Sequence, residues 1–360
     1  MSDKKQKNFL LRVPAFLYGI GTRMRNFAYD RKLISSTLSS IPTICVGNLS
    51  AGGTGKTPHV EYLIEMLRKE YRVAVLTRGY GRKTDQPIIA SPKDTPDTIG
   101  DEPYQILRKY PDVMLYVDGD RRRALTAMEA MPDDIRPDVV IMDDGFQHRR
   151  ITPTFSILLT PFDNPYYQDS LLPYGTLREP ASGHRRADSI IVTRTPKDLT
   201  AFAVKTTILN LELLDYQEVY FSRIVYRKPE KLFPRPDDTD ALLSGSEILP
   251  LAGIADPSPF LDKLRTNFSK VREPMLFRDH HAFSEKDMER LVSELTKNPR
   301  LQVLTTEKDS VRLLKWQSWI PEEVRTRFWY LPIQIYLSPD NASKLLSRAR
   351  RAIRDNTLHY

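Results

Sequence analysis

Cysteine is nearly absent from this sequence. Cys45 is the single thiol in 360 residues, which excludes a disulfide scaffold and a cysteine-based zinc site. It also fits a reducing compartment. Long apolar runs are missing: none approaches the ~20 residues that a membrane span needs. Glycine is scarce at 15 residues, and six of them (Gly47, Gly52, Gly53, Gly55, Gly79 and Gly81) fall between positions 47 and 81. Such rationing marks one backbone feature that requires glycine.

Acidic charge is short in one place only. The net charge is +8, and residues 1–32 carry +6 of it: Lys4, Lys5, Lys7, Arg12, Arg23, Arg25, Arg31 and Lys32 against Asp3 and Asp30. The other 328 residues are close to balanced, so overall basicity gives no reason to expect a nucleic-acid partner. Beside these charges lie Phe9, Leu10, Leu11, Val13, Phe16, Leu17, Tyr18 and Ile20. Arg12 and Pro14 interrupt the run, which argues against a signal peptide. Two readings stand: a basic amphipathic arm on an anionic membrane surface, or a helix packed on the domain with a solvated basic face.

What is present beyond the arm is 40% apolar, enough for packed cores, and the length suggests two domains. Apolar, β-branched runs at 41–46, 73–77, 113–117, 139–142, 156–160 and 189–193 are separated by helix-length stretches. That pattern predicts parallel strands buried on both faces, in a doubly wound α/β sheet. Residues 219–227 alternate in polarity and are followed by Pro229, Pro234 and Pro236, an extended linker. Strands over 248–254, 303–306 and 329–337, with helices over 260–268 and 285–295, predict a second, smaller α/β unit. A basic helix is expected over 341–355. The expected division is an arm over 1–32, a core over 33–218, a linker over 219–236 and a smaller domain over 237–360.

Gly52-Gly53-Thr54-Gly55-Lys56-Thr57 follows the first predicted strand and opens a helix. This is the context of a phosphate-binding P-loop. Backbone N–H groups would cradle phosphate, Lys56 would reach the β- and γ-phosphates, and the Thr57 hydroxyl would bind Mg²⁺. Ser50 stands where the usual pattern has its first glycine. Asp143 and Asp144 end the strand over 139–142, as acids that hold Mg²⁺ do. Gly100-Asp101-Glu102-Pro103 reads, taken alone, as a helix cap. Asp279-His280-His281 reads as a turn before a helix at Ser284, since adjacent histidines face different ways. Arg121-Arg122-Arg123, Arg149-Arg150 and Arg185-Arg186 are solvated faces or anion contacts. No guanine-recognition motif follows the loop, which favours ATP.

Further blocks surround these: Val46-Gly47-Asn48-Leu49, Thr77-Arg78-Gly79-Tyr80-Gly81-Arg82, Asp143-Asp144-Gly145-Phe146-Gln147-His148, Leu177-Arg178-Glu179-Pro180, Gly253-Ile254-Ala255-Asp256-Pro257, Asp279-His280 and Thr305-Thr306-Glu307-Lys308-Asp309. With these blocks in this order, the chain resembles the tetraacyldisaccharide 4′-kinases of lipid A biosynthesis. The resemblance implies ATP-dependent phosphorylation of the 4′-hydroxyl of a lipid A disaccharide 1-phosphate. It places the enzyme at the cytoplasmic face of a bacterial inner membrane. It implies a P-loop core joined to a smaller domain by an extended linker. It assigns the proton-acceptor role to Asp101, paired with His280, and reverses the unaided cap reading. Arg78, Tyr80, Arg121 and Arg178 become expected substrate or nucleotide contacts, and no obligatory protein partner is evident. Two rival readings remain at this point. One is a P-loop kinase of a soluble sugar or metabolite, which gives no reason for the arm. The other is a regulatory GTPase or metal-insertion chaperone, which needs a guanine signature.

Overall fold

The computed structural model describes residues 9–235, 242 and 245–357. Asp3, Lys4, Lys5 and Lys7 of the arm, and Pro236 of the expected linker, lie outside the described residues. Strand β1 (Thr43–Asn48) is buried at every position, as a strand covered on both faces must be. It joins β2 (Val73–Thr77), β3 (Ile88–Ile89), β4 (Met114–Val117), β5 (Val139–Asp143), β6 (Phe155–Pro161), β7 (Ser189–Thr193) and β8 (Glu218–Phe221) in one sheet. The order is β3-β4-β2-β5-β1-β6-β7-β8, parallel throughout except for the β3–β4 edge.

Alternate residues of each run face opposite cores. Ile44, Val46, Val75 and Ile141 pack with Val60 and Ile64 of the helix Lys56–Leu67. Cys45, Ala74, Leu76, Val140 and Met142 pack with Leu125 and Met128 of the helix Arg121–Glu129. Continuous apolar strands are therefore two half-patterns, one per face. All the parallel strands end at one edge, the usual ligand edge of an open α/β sheet. The P-loop, Arg78, Asp118, Asp143 and Arg194 lie at or just past these ends.

Past β8 the chain runs through β9 (Arg223–Tyr226) to a second sheet. This holds β10 (Glu230–Lys231), β11 (Glu247–Ala252), β12 (Met275–Leu276), β13 (Leu301–Thr306) and β14 (Phe328–Leu331), in the order β10-β14-β13-β11-β12. Helices Ser258–Asn267 and Glu285–Lys297 cover it.

The structure departs from the expected division at three points. Val219–Phe221, expected in the linker, belong to β8 at the edge of the large sheet. The apolar run over 329–337 is two strands, split at Pro332: β14 stays in the small sheet, and β15 (Ile333–Tyr336) pairs antiparallel with β9. Proline has no N–H to continue a ladder. The final helix, Pro339–Thr357, returns to the large sheet, where Leu345, Ala349 and Ile353 join the core of Val60 and Ile64. Two chain passages, β9 and β15, thus connect the lobes side by side.

The arm is a helix over Arg12–Asp30. It docks through a narrow strip. Ala15 and Gly19 are buried, and a Cβ on Gly19 would stand 2.7 Å from Leu171 Cδ1. Tyr18 donates to the Arg178 carbonyl at 2.6 Å, and Asn26 to Glu179 at 3.1 Å. The rest of its apolar face is open: Val13, Phe16, Leu17, Met24 and Phe27 are each more than half exposed. The packed-helix reading thus holds for the docked strip, and the opposite apolar side is exposed.

Candidate active site

The P-loop connects β1 to the helix Lys56–Leu67. Gly52 and Gly55 take φ of +113° and +88°, a region that side chains rarely adopt. This backbone turn points the helix N-terminus at the loop, a ready anion site. Ser50, the departure from the usual pattern, is buried and bridges Leu177. Its neighbour Ala51 donates its N–H to the Thr176 carbonyl at 2.7 Å, and Arg178 donates its own to Leu49 at 2.7 Å. The Leu-Arg-Glu-Pro segment is thus laid along the backbone that leads into the P-loop. Glu179 is fully buried beneath it and takes two hydrogen bonds from Arg186 at 2.8 and 2.9 Å. Removing one partner of such a pair typically costs about 3–5 kcal/mol.

Lys56 reaches from the loop to Asn48 Oδ1 at 3.4 Å and to Asp144 Oδ1 at 3.6 Å. Asp144 also takes Arg178 Nη1 at 3.1 Å. Burial opposes the charge on Asp144, but Lys56 and then Arg178 outweigh it and hold its pKa below the usual carboxylate value. Asp143 is different. It is buried, its Oδ2 meets only the Thr77 hydroxyl at 3.4 Å, and its Oδ1 has no partner. Burial, then the nearby charges of Glu102 and Asp144, push its pKa up to about 7. Two adjacent acids therefore have opposite environments. Asp144 is paired with Lys56 and Arg178, whereas Asp143 makes no ion pair among the described residues and has an oxygen to offer. That is the donor chemistry of a Mg²⁺ site built from one or two carboxylates, a hydroxyl and substrate phosphates. Thr57, also buried, supplies the hydroxyl at the start of the helix.

The Arg78–Arg82 loop and the Asp101 helix meet back to back. A Cβ on Gly79 would stand 2.7 Å from the Ile99 carbonyl, and one on Gly100 would stand 2.8 Å from the Tyr80 carbonyl. Gly100, at φ +96°, is the residue that precedes helix Asp101–Lys109. Asp101 is thus the first helical residue, and its side chain makes no cap. Its Oδ2 accepts from Arg312 Nε at 2.7 Å.

His280 comes to the same place from the small lobe. Its φ of +59° turns it away from His281. His281 stacks on Phe277 and bonds Asp287, beside the Ser284 cap of the next helix. The His280 ring lies edge-on to Tyr80, centroids 6.1 Å apart. Nε2 is 2.9 Å from Lys308 Nζ, and Nδ1 is 3.4 Å from Arg312 Nη2. Burial, then the charge of Lys308, lowers the pKa of the ring. Among the described residues no hydrogen bond joins Asp101 to His280 directly; Arg312 stands between them.

The remaining candidates separate. Arg178 sits on Asp144, and Tyr80 is 78% exposed beside His280. Arg78 is exposed at the end of β2. Arg121 is buried, its Nε has no partner, and burial lowers its pKa against the pull of Asp143. Of the basic clusters, Arg123 is tied to buried Asp118, Arg149 to Asp30 and Arg186 to Glu179. These three are structural. Sequence reading gave no role to Lys308, although it lies within the Thr305–Asp309 block, and did not single out Arg312, three residues beyond that block.

Comparison with known proteins places the chain among relatives of one kind. A family model described as Tetraacyldisaccharide-1-P 4′-kinase matches residues 7–350. A Tetraacyldisaccharide 4′-kinase of Parabacteroides distasonis is 44% identical over 334 residues, covering 91% of this chain and 90% of that protein. One from Porphyromonas gingivalis is 39% identical over 350 residues, covering 96% and 97%. The crystal structure of LpxK from Aquifex aeolicus in complex with ATP superposes with a TM-score of 0.72. It is 29% identical and covers 94% of this chain and 97% of its own.

Proposed function

The chain belongs to the tetraacyldisaccharide-1-P 4′-kinase family, and we propose how its own residues perform that reaction. The enzyme is an ATP-dependent kinase of lipid A biosynthesis, as its relatives and its structural neighbour are. The rival readings, a soluble-metabolite kinase and a regulatory GTPase or chaperone, have no counterpart in a family match that spans nearly the whole chain.

Phosphoryl transfer needs positioning and charge stabilisation. The P-loop residues Gly52, Gly53, Thr54 and Gly55 cradle the triphosphate, and Lys56 stabilises charge on the β- and γ-phosphates. Reaching them means leaving Asp144, which Arg178 retains. Thr57 and Asp143 would hold Mg²⁺, with Asp144 adjacent. The bound ion would neutralise phosphate charge as it develops. Asp101 accepts the proton of the 4′-hydroxyl. The sugar oxygen bonds to the γ-phosphorus, the bond to the bridging oxygen breaks, and ADP leaves with that electron pair. Arg78, Tyr80 and Arg121 line the approach of the anionic substrate, and His280 closes it from the small lobe. The observation that supports this reading most is the meeting of the P-loop, the Asp143–Asp144 pair and Asp101 at one sheet edge.

The arm supplies the membrane part of the proposal. Its open apolar face and basic charge suit an anionic lipid surface, and no described helix is long and apolar enough to cross a membrane. The location proposed with it is the cytoplasmic face of the inner membrane, as the family resemblance implies for an enzyme of an acylated substrate.

The test is Asp101→Asn. Transfer from ATP to tetraacyldisaccharide 1-phosphate should fall at least about 10²-fold, the scale of general-base contributions, with ATP affinity retained. Near-normal turnover by the folded variant would remove Asp101 from the proton-acceptor role.

A further inference from the structure

We propose that Arg312 is the positioning residue of the acceptor site, fixing the Asp101 carboxylate and the His280 ring with one guanidinium. The inference rests on the reading of Asp101 as proton acceptor. Three observations lead to it.

The first is how firmly Arg312 is held. Its side chain is 5% exposed. It lies on the helix Glu307–Leu313 and donates through Nη1 to Asp309 Oδ1 at 2.9 Å and to the Gly253 carbonyl at 3.3 Å. Asp309 is itself fully buried and fixed. It takes the Thr306 hydroxyl at 2.6 Å and the Gly253 N–H at 2.8 Å. The Gly253 and Thr306–Asp309 segments, at the ends of β11 and β13, thus act as a socket for one arginine.

The second is what the other edge of the guanidinium does. Nε donates to Asp101 Oδ2 at 2.7 Å, and Nη2 faces His280 Nδ1 at 3.4 Å. Arginine has a planar fork of donors, so two partners on one edge are fixed relative to each other as well as to the socket. Lysine has no such fork.

The third is what is left open. Asp101 Oδ1 accepts no hydrogen bond among the described residues. Arg312 therefore takes one oxygen and aims the other. A proton acceptor needs this arrangement: a free oxygen whose direction is set by the second. Asp101 belongs to the large lobe and Arg312 to the small one. The aim of the acid thus depends on how the lobes are seated.

The experiment compares Arg312→Met and Arg312→Lys, alone and with Asp101→Asn. Each is read by kcat, by KM for ATP and for the disaccharide, and by thermal melting. Arg312→Met should lower kcat about 10- to 100-fold, the scale of a misplaced catalytic group, with KM for ATP within about twofold. Arg312→Lys should recover part of the loss, because it restores charge without the fork. In the Asp101→Asn background, Arg312→Met should cost little more, since residues acting as one unit are not additive. An unchanged kcat in folded Arg312→Met overturns the proposal, and so does a full additional loss in the Asp101→Asn background. If Arg312→Met does not fold, Arg312→Lys decides: wild-type kcat overturns the proposal, and a reduced kcat at unchanged KM for ATP supports it. Near-normal turnover by Asp101→Asn overturns the proton-acceptor reading itself. Loss in Asp101→Asn with none in Arg312→Met overturns the inference alone.

Discussion

Among single residues, the site divides by how each was found. Lys56 and Thr57 were legible from spacing, because a P-loop needs its glycines, lysine and threonine in fixed order before a helix. Asp143 and Asp144 were legible as a pair of acids ending an apolar strand. Their difference was not, because it depends on which neighbours come near: Asp144 pairs with Lys56 and Arg178, and Asp143 meets only the Thr77 hydroxyl among the described residues. Asp101 looked like a helix cap on local grounds, and only the resemblance gave it a role. Arg312 carried no sequence signal, since its partners are 211 and 32 positions away. The residue-scale prediction concerns Lys56. Lys56→Ala should lower kcat at least about 10²-fold, as the loss of a charge-stabilising donor does, and should leave the fold intact. Unchanged turnover would remove Lys56 from the phosphate site.

The elements tell a similar story. Six core strands were legible because burial on both faces demands continuous apolar runs. The two-residue strands β3 and β12 were not, since so short a pairing leaves no pattern. The C-terminal helix shows its apolar face at Leu345, Ala349 and Ile353, but periodicity names a face and not the core that receives it. The helix Lys56–Leu67 carries a device of its own. His59 bonds the Gly55 carbonyl through Nδ1 at 2.7 Å and meets Ser222 Oγ at Nε2 at 2.9 Å. It ties the P-loop to the turn between β8 and β9. Burial lowers its pKa to about 4, with the bond to the Gly55 carbonyl acting the other way. The folded value lies below the unfolded one of about 6.5. The neutral ring therefore contributes stability above pH 6.5, and that contribution is lost as pH falls toward 4. The loss amounts to about 3 kcal/mol at the acid end. Denaturant unfolding between pH 7 and 4 should show this slope, and His59→Gln should flatten it. An equal slope in His59→Gln would assign the acid loss to other groups.

In the whole molecule, two lobes meet at the carboxyl edge of the large sheet. Asp101 with Arg312 is one contact between them. Another is the half-buried Lys109, shared by Glu61 at 2.5 Å and Glu307 at 2.9 Å. Lys56 and His280 lie in different lobes, and Arg312 bonded to Asp101 holds those lobes in contact. The unequal charge of the chain also belongs to this scale. The arm holds to the core through Ala15, Gly19 and Asn26, so its proposed membrane role is best tested on the open side. Val13→Ser, Leu17→Ser and Met24→Ser together should weaken binding to vesicles rich in anionic lipid by at least about tenfold. Burying even one such side chain contributes about 1.5–3 kcal/mol. ATP binding should not change. Equal vesicle binding would leave the arm a purely structural helix.

The most direct measurement of the central claim is transfer of labelled γ-phosphate from ATP, with Mg²⁺ present, to tetraacyldisaccharide 1-phosphate in detergent micelles, with the position of the new phosphate determined. The wild-type chain should place the label on the 4′-hydroxyl, and Asp101→Asn should not at a comparable rate. Folded, ATP-binding wild-type protein that transfers no label, or that labels a different position, would contradict the account.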